Sequence, residues 1–171
     1  MMETNKSLVF RPMNPGEESR VMNLVLRVFT EFVAPQFSPQ GIAEFEKFVR
    51  SDALAERARA GNPILLAASR QSIHGVIEMR ENSHIALLFV EKSLQRKGIA
   101  RELVHRGIEI CRKRNPEILR ITVNSSPNAC EAYQKMGFRR MGDESVQNGI
   151  RYIPMELLLE HNNNDLTVNQ G

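Results

Sequence analysis

The sequence predicts a mixed α/β fold: a mostly antiparallel sheet of about seven strands with helices on both faces. Three observations lead there. Apolar residues recur at helical spacing over residues 17–60, short strand-like runs fill Ile64 to Val90, and the period returns to 3.6 from Lys97. A chain of 171 residues can bury about two thirds of its unfolded surface as one domain. Residues 1–161 are read as that domain, and 162–171 as a polar, disordered tail.

The elements follow in order. Ser7–Arg11 is a short apolar run ended by Pro12, a first strand. Asn14 then caps a helix with Pro15 in its first turn and Glu17 at the capping-box position. Val21, Leu24, Val25, Val28, Phe29 and Phe32 give its apolar face, and Pro35 limits it. Ser38-Pro39 repeats the start signal for a helix through Phe45, Phe48 and Val49, and a further helical stretch runs to Ala60 before Gly61-Asn62-Pro63. Ile64–Arg70, Ile73–Arg80 and His84–Val90 read as an antiparallel meander. From Lys97, Ala100, Leu103, Val104, Gly107, Ile108 and Cys111 share one helix face, and Pro116 bars continuation. Ile118–Asn124 is a strand, and Ser126-Pro127 caps a third proline-started helix that stops at Gly137. Strands at about Arg139–Asp143 and Ile150–Leu159 flank a Gln147-Asn148-Gly149 turn.

Composition excludes several classes. The chain is 42% hydrophobic and 25% charged, ordinary for a globular protein and unlike a disordered or collagenous one. No run approaches the roughly 18 apolar residues of a membrane span, and MMETNKSLVF lacks the apolar centre of a secretory signal, so a cytoplasmic protein without membrane partners is expected. Two cysteines, Cys111 and Cys130, make neither a disulfide framework nor a zinc cluster and read as small buried hydrophobes. No metal site is expected. His74, His105 and His161 read as surface residues.

The net charge of +3 is unevenly placed. Residues 91–114 hold eight basic and three acidic side chains, while the segments on either side are neutral or slightly acidic. Such a segment points to a local anionic partner. Glutamates interspersed with the basic residues, two tyrosines and no tryptophan make a poor nucleic-acid surface.

Within that segment, the apolar run Leu87–Val90 enters a basic loop that leads into an amphipathic helix. The first turn of a helix offers unpaired N–H groups and a positive dipole end, so a phosphate or pyrophosphate is its natural ligand. Gly98 permits close backbone approach, and Arg96, Lys97 and Arg101 add charge there. Neither the three-glycine dinucleotide fingerprint nor the P-loop matches one glycine preceded by lysine.

What the segment resembles is the GNAT superfamily of N-acetyltransferases, whose motif Q/R-x-x-G-x-G/A stands here as Gln95-Arg96-Lys97-Gly98-Ile99-Ala100. Val90-Glu91-Lys92 stands where the family's V-x-P usually falls, with Lys92 in place of proline. Val123–Ala129 and Tyr133-Gln134-Lys135-Met136-Gly137-Phe138 are similar to its second motif. The likeness covers about residues 7–159. It implies a V-shaped splay between the two central strands, those ending at Val90 and Asn124. Acetyl-CoA would be the co-substrate. Its pantetheine arm would lie along Leu88-Phe89-Val90, bonding the backbone of Leu88 and Val90. The pyrophosphate would rest on the N–H groups of Gln95, Arg96, Lys97, Gly98, Ile99 and Ala100 beside Arg101, while Asn124 and Ser126 would face the arm from the far side. Homodimers are common among members.

Transfer from a thioester to an amine needs a neutral amine and a proton for the departing thiolate. By the resemblance, Tyr133 is the general acid and the Val90 N–H a small oxyanion site. A tyrosine packed at a helix–strand junction is the other reading, and the two are compatible. For the base, Glu78 and His84 flank the turn Glu81-Asn82-Ser83; a three-residue loop sets Arg80 opposite His84 and Glu78 opposite Ala86, both candidates on one sheet face. Glu91 is a third candidate, a water chain an alternative, and a polar hairpin end the plain reading. The expected activity is acetyl transfer to a small amine or peptide amine, against a catalytically silent acyl-CoA-binding module of the same fold.

Overall fold

A computed structural model describes residues 7–160; His161 and the expected tail lie outside them. The order is β1 (Val9–Pro12), α1 (Glu18–Phe32), α2 (Pro39–Phe48), α3 (Ser51–Arg59), β2 (Ile64–Ala68), β3 (Ile73–Arg80), β4 (His84–Val90), α4 (Ile99–Arg114), β5 (Arg120–Ser125), α5 (Cys130–Lys135), β6 (Arg139–Arg140), β7 (Ser145–Gln147) and β8 (Ile150–Leu158). The sheet runs β1-β2-β3-β4-β5-β8-β6, with β7 also on β8. Every pairing is antiparallel except β4 with β5. The expected architecture is therefore present, with eight strands rather than seven.

Helices on both faces make two cores. On one face, Val21, Leu24 and Val25 of α1 and Leu54 of α3 pack with Leu66, Val76 and Leu87. On the other, Leu103 and Val104 of α4 and Tyr133 of α5 pack with Ile77, Met79 and Ile121. Strand β3 lies between them and is buried along Ile73–Met79. Alternation therefore cannot show in its sequence, because both of its faces meet apolar partners.

Local chemistry shifts several boundaries. Helix α1 begins at Glu18, four residues after Asn14, with Glu17 at the N-cap and no side-chain cap bond. Glu17 is drawn back to the Asn14 N–H (2.7 Å) and the Arg11 guanidinium (2.6 Å), which holds Pro15-Gly16 in a turn before the helix. Ser38 caps α2 as expected, accepting from the Gly41 N–H at 3.2 Å. Ser126 does not: its side chain makes no cap bond, and Pro127–Ala129 is a 3-10 turn before α5. The strand expected over 139–143 ends at Arg140, and the residues after it supply β7. Asn148 and Gly149, at φ 52° and 78°, close the β7–β8 hairpin, the positive values that a two-residue hairpin turn requires.

The β3–β4 register also differs. Arg80 opposes His84, but a bulge at Ala86 places Glu78 opposite Leu87. The thiols behave as expected: Cys111 and Cys130 are buried and free. His74, expected at the surface, is buried.

Candidate active site

Strands β4 and β5 pair only at His84–Thr122 and Ile85–Val123. Beyond Ala86 they part, and a cleft of about 1250 Å³ opens between them. That exceeds the roughly 300–1,000 Å³ of a single small-ligand pocket. The space suits two ligands side by side.

The wall formed by β4 carries unpaired backbone. The Glu91 N–H donates to the His74 carbonyl (2.8 Å), so Glu91, Phe89 and Leu87 turn their polar groups toward β3. Alternation then points those of Leu88 and Val90 into the gap. The Val90 carbonyl confirms the direction, since it accepts from the Gln95 amide (Nε2, 3.0 Å) on the gap side. Phe89 is different. Its backbone belongs to the β3 ladder and its ring lies 5.8 Å from that of Phe45.

The loop from Glu91 to Gly98 forms the mouth. The Leu94 N–H donates to Glu91 and that of Gln95 to Lys92, at 2.9 and 3.2 Å. Arg96 and Gly98 both take positive φ, 62° and 83°. Only a glycine holds such a conformation without strain, and no atom lies within 4 Å of where a Gly98 Cβ would be. Among the described residues, no loop or cap bond engages the N–H groups of Arg96, Lys97 and Gly98. Ile99, Ala100 and Arg101 open the first turn of α4, where helical partners do not exist. Six free donors at a helix N-terminus make an anion cradle; Gln95, expected among them, instead spends its N–H on Lys92 and brings its side chain to Val90.

The basic excess resolves into two groups. Lys92 pairs with Glu31 (2.6 Å), Arg106 with Glu102 (2.7 Å), and Arg101 donates to the Lys135 carbonyl (3.1 Å). Arg96 and Lys97 have no ion-pair partner among the described residues, so their charge stands uncompensated beside the loop. Arg96 lines the cleft, whereas Lys97 is exposed beside it.

On the opposite wall stand Asn124, Ser126 and Tyr133. Helix α5 stops at Gly137, and the Phe138 N–H returns to the Tyr133 carbonyl at 3.0 Å. This fold-back sets the Phe138 ring edge-on to Tyr133, centroids 5.4 Å apart. The phenol is buried, and burial pushes its pKa up, so it holds its proton throughout the physiological range. Its hydroxyl has no protein hydrogen-bond partner among the described residues.

The two candidate bases separate. His84 lines the cleft, with Nδ1 2.8 Å from Thr122 Oγ1. Burial, helped by Arg80 and opposed by Glu81, lowers its pKa from 6.5 to about 4, so the ring is neutral at pH 7. Glu78 is fully buried beneath α3 and outside the cleft lining. Arg57 meets it through Nε and Nη2 (2.6 and 3.1 Å), and Asn62 donates at 3.1 Å. That carboxylate braces α3 against the sheet. Glu91 turns away to His74, whose Nδ1 lies 2.7 Å from Glu91 Oε2 and whose Nε2 lies 3.0 Å from Ser69 Oγ. Sequence reasoning missed this anchor because β3 shows no alternation.

The far end of the cleft is walled by α1, α2 and the β7–β8 hairpin. Phe45 stacks on Phe29 (4.0 Å, 20°) and reaches toward Phe89. The start of α2 presses on the β7–β8 turn, where the Ser38 N–H donates to the Gly149 carbonyl at 3.3 Å. A Cβ on either Gly41 or Gly149 would overlap the other segment, so this closure depends on two glycines.

A family model described as an acetyltransferase (GNAT) domain matches residues 33–159. A comparison with curated protein sequences finds no match. Among solved structures, a GCN5-related N-acetyltransferase from Rhodopseudomonas palustris superposes with TM-score 0.76 at 18% identity, covering 93% of this chain and 100% of its own. The PaiA N-acetyltransferase of Thermoplasma acidophilum, in complex with coenzyme A, gives 0.74 at 16% identity, with 90% and 99% covered. A GNAT-family acetyltransferase from Staphylococcus aureus gives 0.70 at 16%, with 90% and 100% covered.

Proposed function

The chain belongs to the GNAT acetyltransferase family, and on that premise we propose that it moves an acetyl group from acetyl-CoA directly to a primary amine. The observation that carries this reading is the pairing of the open Leu88 backbone and Val90 N–H with a cradle of unpaired N–H groups on one cleft wall, and a buried phenol on the other. The fit to coenzyme A is chemical. The cradle suits a pyrophosphate, the open strand edge suits the amide groups of a pantetheine arm, and Asn124 and Ser126 flank it.

Each residue then has one task. The Val90 N–H donates to the thioester carbonyl and stabilises the charge that develops on oxygen as the amine adds. Tyr133, kept protonated by burial, donates its proton to the sulfur when the C–S bond breaks, and the proton shed by the newly acylated nitrogen returns through cleft water to the phenolate. The amine must arrive neutral. Glu78 is withdrawn from the cleft and His84 is too weak a base at a pKa of about 4, so a chain of water along the open cleft carries the ammonium proton to bulk solvent, with His84 as a neutral hydrogen-bonding terminus. The same scarcity of base favours a second reading, an acyl-CoA-binding module without turnover.

Calorimetry with acetyl-CoA, followed by thiol-release assays with amine acceptors, tests both. One-to-one micromolar binding is expected, and Tyr133→Phe should lower kcat by about 100-fold or more with binding intact. Binding without transfer to any amine would leave the silent module. No binding would end the acetyltransferase reading.

A further inference from the structure

The walls of the acceptor side carry a charge pattern that selects among amines. Five of the eight phenylalanines, Phe32, Phe37, Phe45, Phe48 and Phe89 together, line this part of the cleft, and all are half-buried. A ligand with an apolar body would cover them and take their exposed faces out of water.

Charge at the same walls is mostly positive. Arg80 lies at the end of β3 opposite His84, exposed, lining the cleft, and with no ion-pair partner among the described residues. Its charge is felt at the His84 ring. Arg151 also lines the cleft but is held by Glu144 at 2.6 Å. Arg57, behind Phe48, is committed to Glu78. The acidic groups on this side are Glu44, exposed on α2, and Glu81, which follows Arg80 and acts on the His84 ring in the opposite sense. Neither forms an ion pair with Arg80, so a polycation would meet an uncompensated guanidinium and an anionic group would find Arg80 free.

Spacing narrows the class. Val90, whose N–H takes the thioester carbonyl, pairs with Gly75, and Arg80 lies five residues further along β3, about 17 Å. A free α-amino acid, with amine and carboxylate on one carbon, is too short to use both ends. Resting on the acetyltransferase reading above, we propose that the acceptor is an amine with an apolar body and a carboxylate several bonds away, of the size of a short apolar peptide, and that Arg80 receives the carboxylate.

The test uses the full chain with acetyl-CoA and three acceptors: the tripeptide phenylalanyl-leucyl-leucine, its C-terminal amide, and spermidine. The tripeptide acid should be acetylated with a KM about 10-fold below that of the amide, and spermidine should be the poorest. In Arg80→Gln the acid should lose this advantage while the amide is unchanged; Arg80→Lys should restore part of it. Acetylation of the amide or spermidine at least as well as the acid would overturn the proposal and leave the acetyltransferase reading standing. An Arg80→Gln variant that treats acid and amide as the wild type does would also overturn it. Absence of acetyl-CoA binding would instead strike the underlying reading.

Discussion

The Gln95 side-chain amide donates to the Val90 carbonyl across 3.0 Å. This one bond ties the anion-binding loop to the last residue of the open strand. The loop and the strand edge, which would hold opposite ends of one long ligand, are thereby set in fixed relation.

Gln95→Ala should loosen that relation. A neutral hydrogen bond contributes about 1 kcal/mol, so the Kd for acetyl-CoA should rise about fivefold with little change in melting temperature. Calorimetry checks it, and an unchanged Kd would show that the loop holds its shape without the bond.

Gly98→Val attacks the loop through its backbone. The position has φ 83° and open space around it, so the loss comes from conformation rather than collision. A β-branched residue there costs about 2 kcal/mol and swings the cradle's donors away, abolishing micromolar binding. Gly98→Asn should be far milder, because asparagine tolerates the left-handed region. Equal effects of the two substitutions would argue against a conformational cause.

Arg57→Leu should destabilise the fold, and it also removes the support that Arg57 gives Phe48 at the cleft wall. Breaking a buried pair from one side leaves Glu78 without its guanidinium and with the Asn62 amide alone, a loss of about 3 kcal/mol, or roughly 6–12 °C in melting temperature. Arg57→Leu with Glu78→Leu should recover most of it. If the double variant melts no higher than the single one, packing rather than charge explains the loss.

Acid should weaken the fold in two steps. His84, lowered from 6.5 to about 4 mainly by burial, stays neutral in the folded chain while the unfolded chain takes up a proton, so stability falls as pH drops from about 6.5 to 4. Glu17, lowered from 4.5 to about 2 chiefly by the Arg11 hydrogen bond, adds stability that is full above about 4.5 and lost on the way to 2. Melting temperatures across pH 2–8 measure both. His84→Gln should flatten the upper step and Glu17→Gln the lower; a profile unchanged by either would refute the assignment.

Local chemistry was legible because it is local. Helix starts at Pro39 and Ile99, the hairpin turn at Asn148-Gly149 and the basic loop around Gly98 each rest on spacing or on a positive φ that few residues accept. Charge partition pointed to the anion cradle for the same reason. What those residues could not reveal was which neighbours they would meet.

Tertiary structure decided the rest. The roles of Glu78 and His74 turned on β3 being covered by helices on both faces, which removes the alternation that marks inside from outside. One extra residue at Ala86 reset the register and set Glu78 opposite Leu87, and α3 supplied Arg57 from 21 positions earlier to hold it. The cleft itself exists because β4 and β5 pair at two residues and then part, a distance set by how α4, α5 and two separate cores pack. Sequence by itself determined most elements and the basic glycine loop before α4, where each residue acts through its own backbone. Only packing between distant segments determined which polar groups face the cleft and which lie buried beneath it.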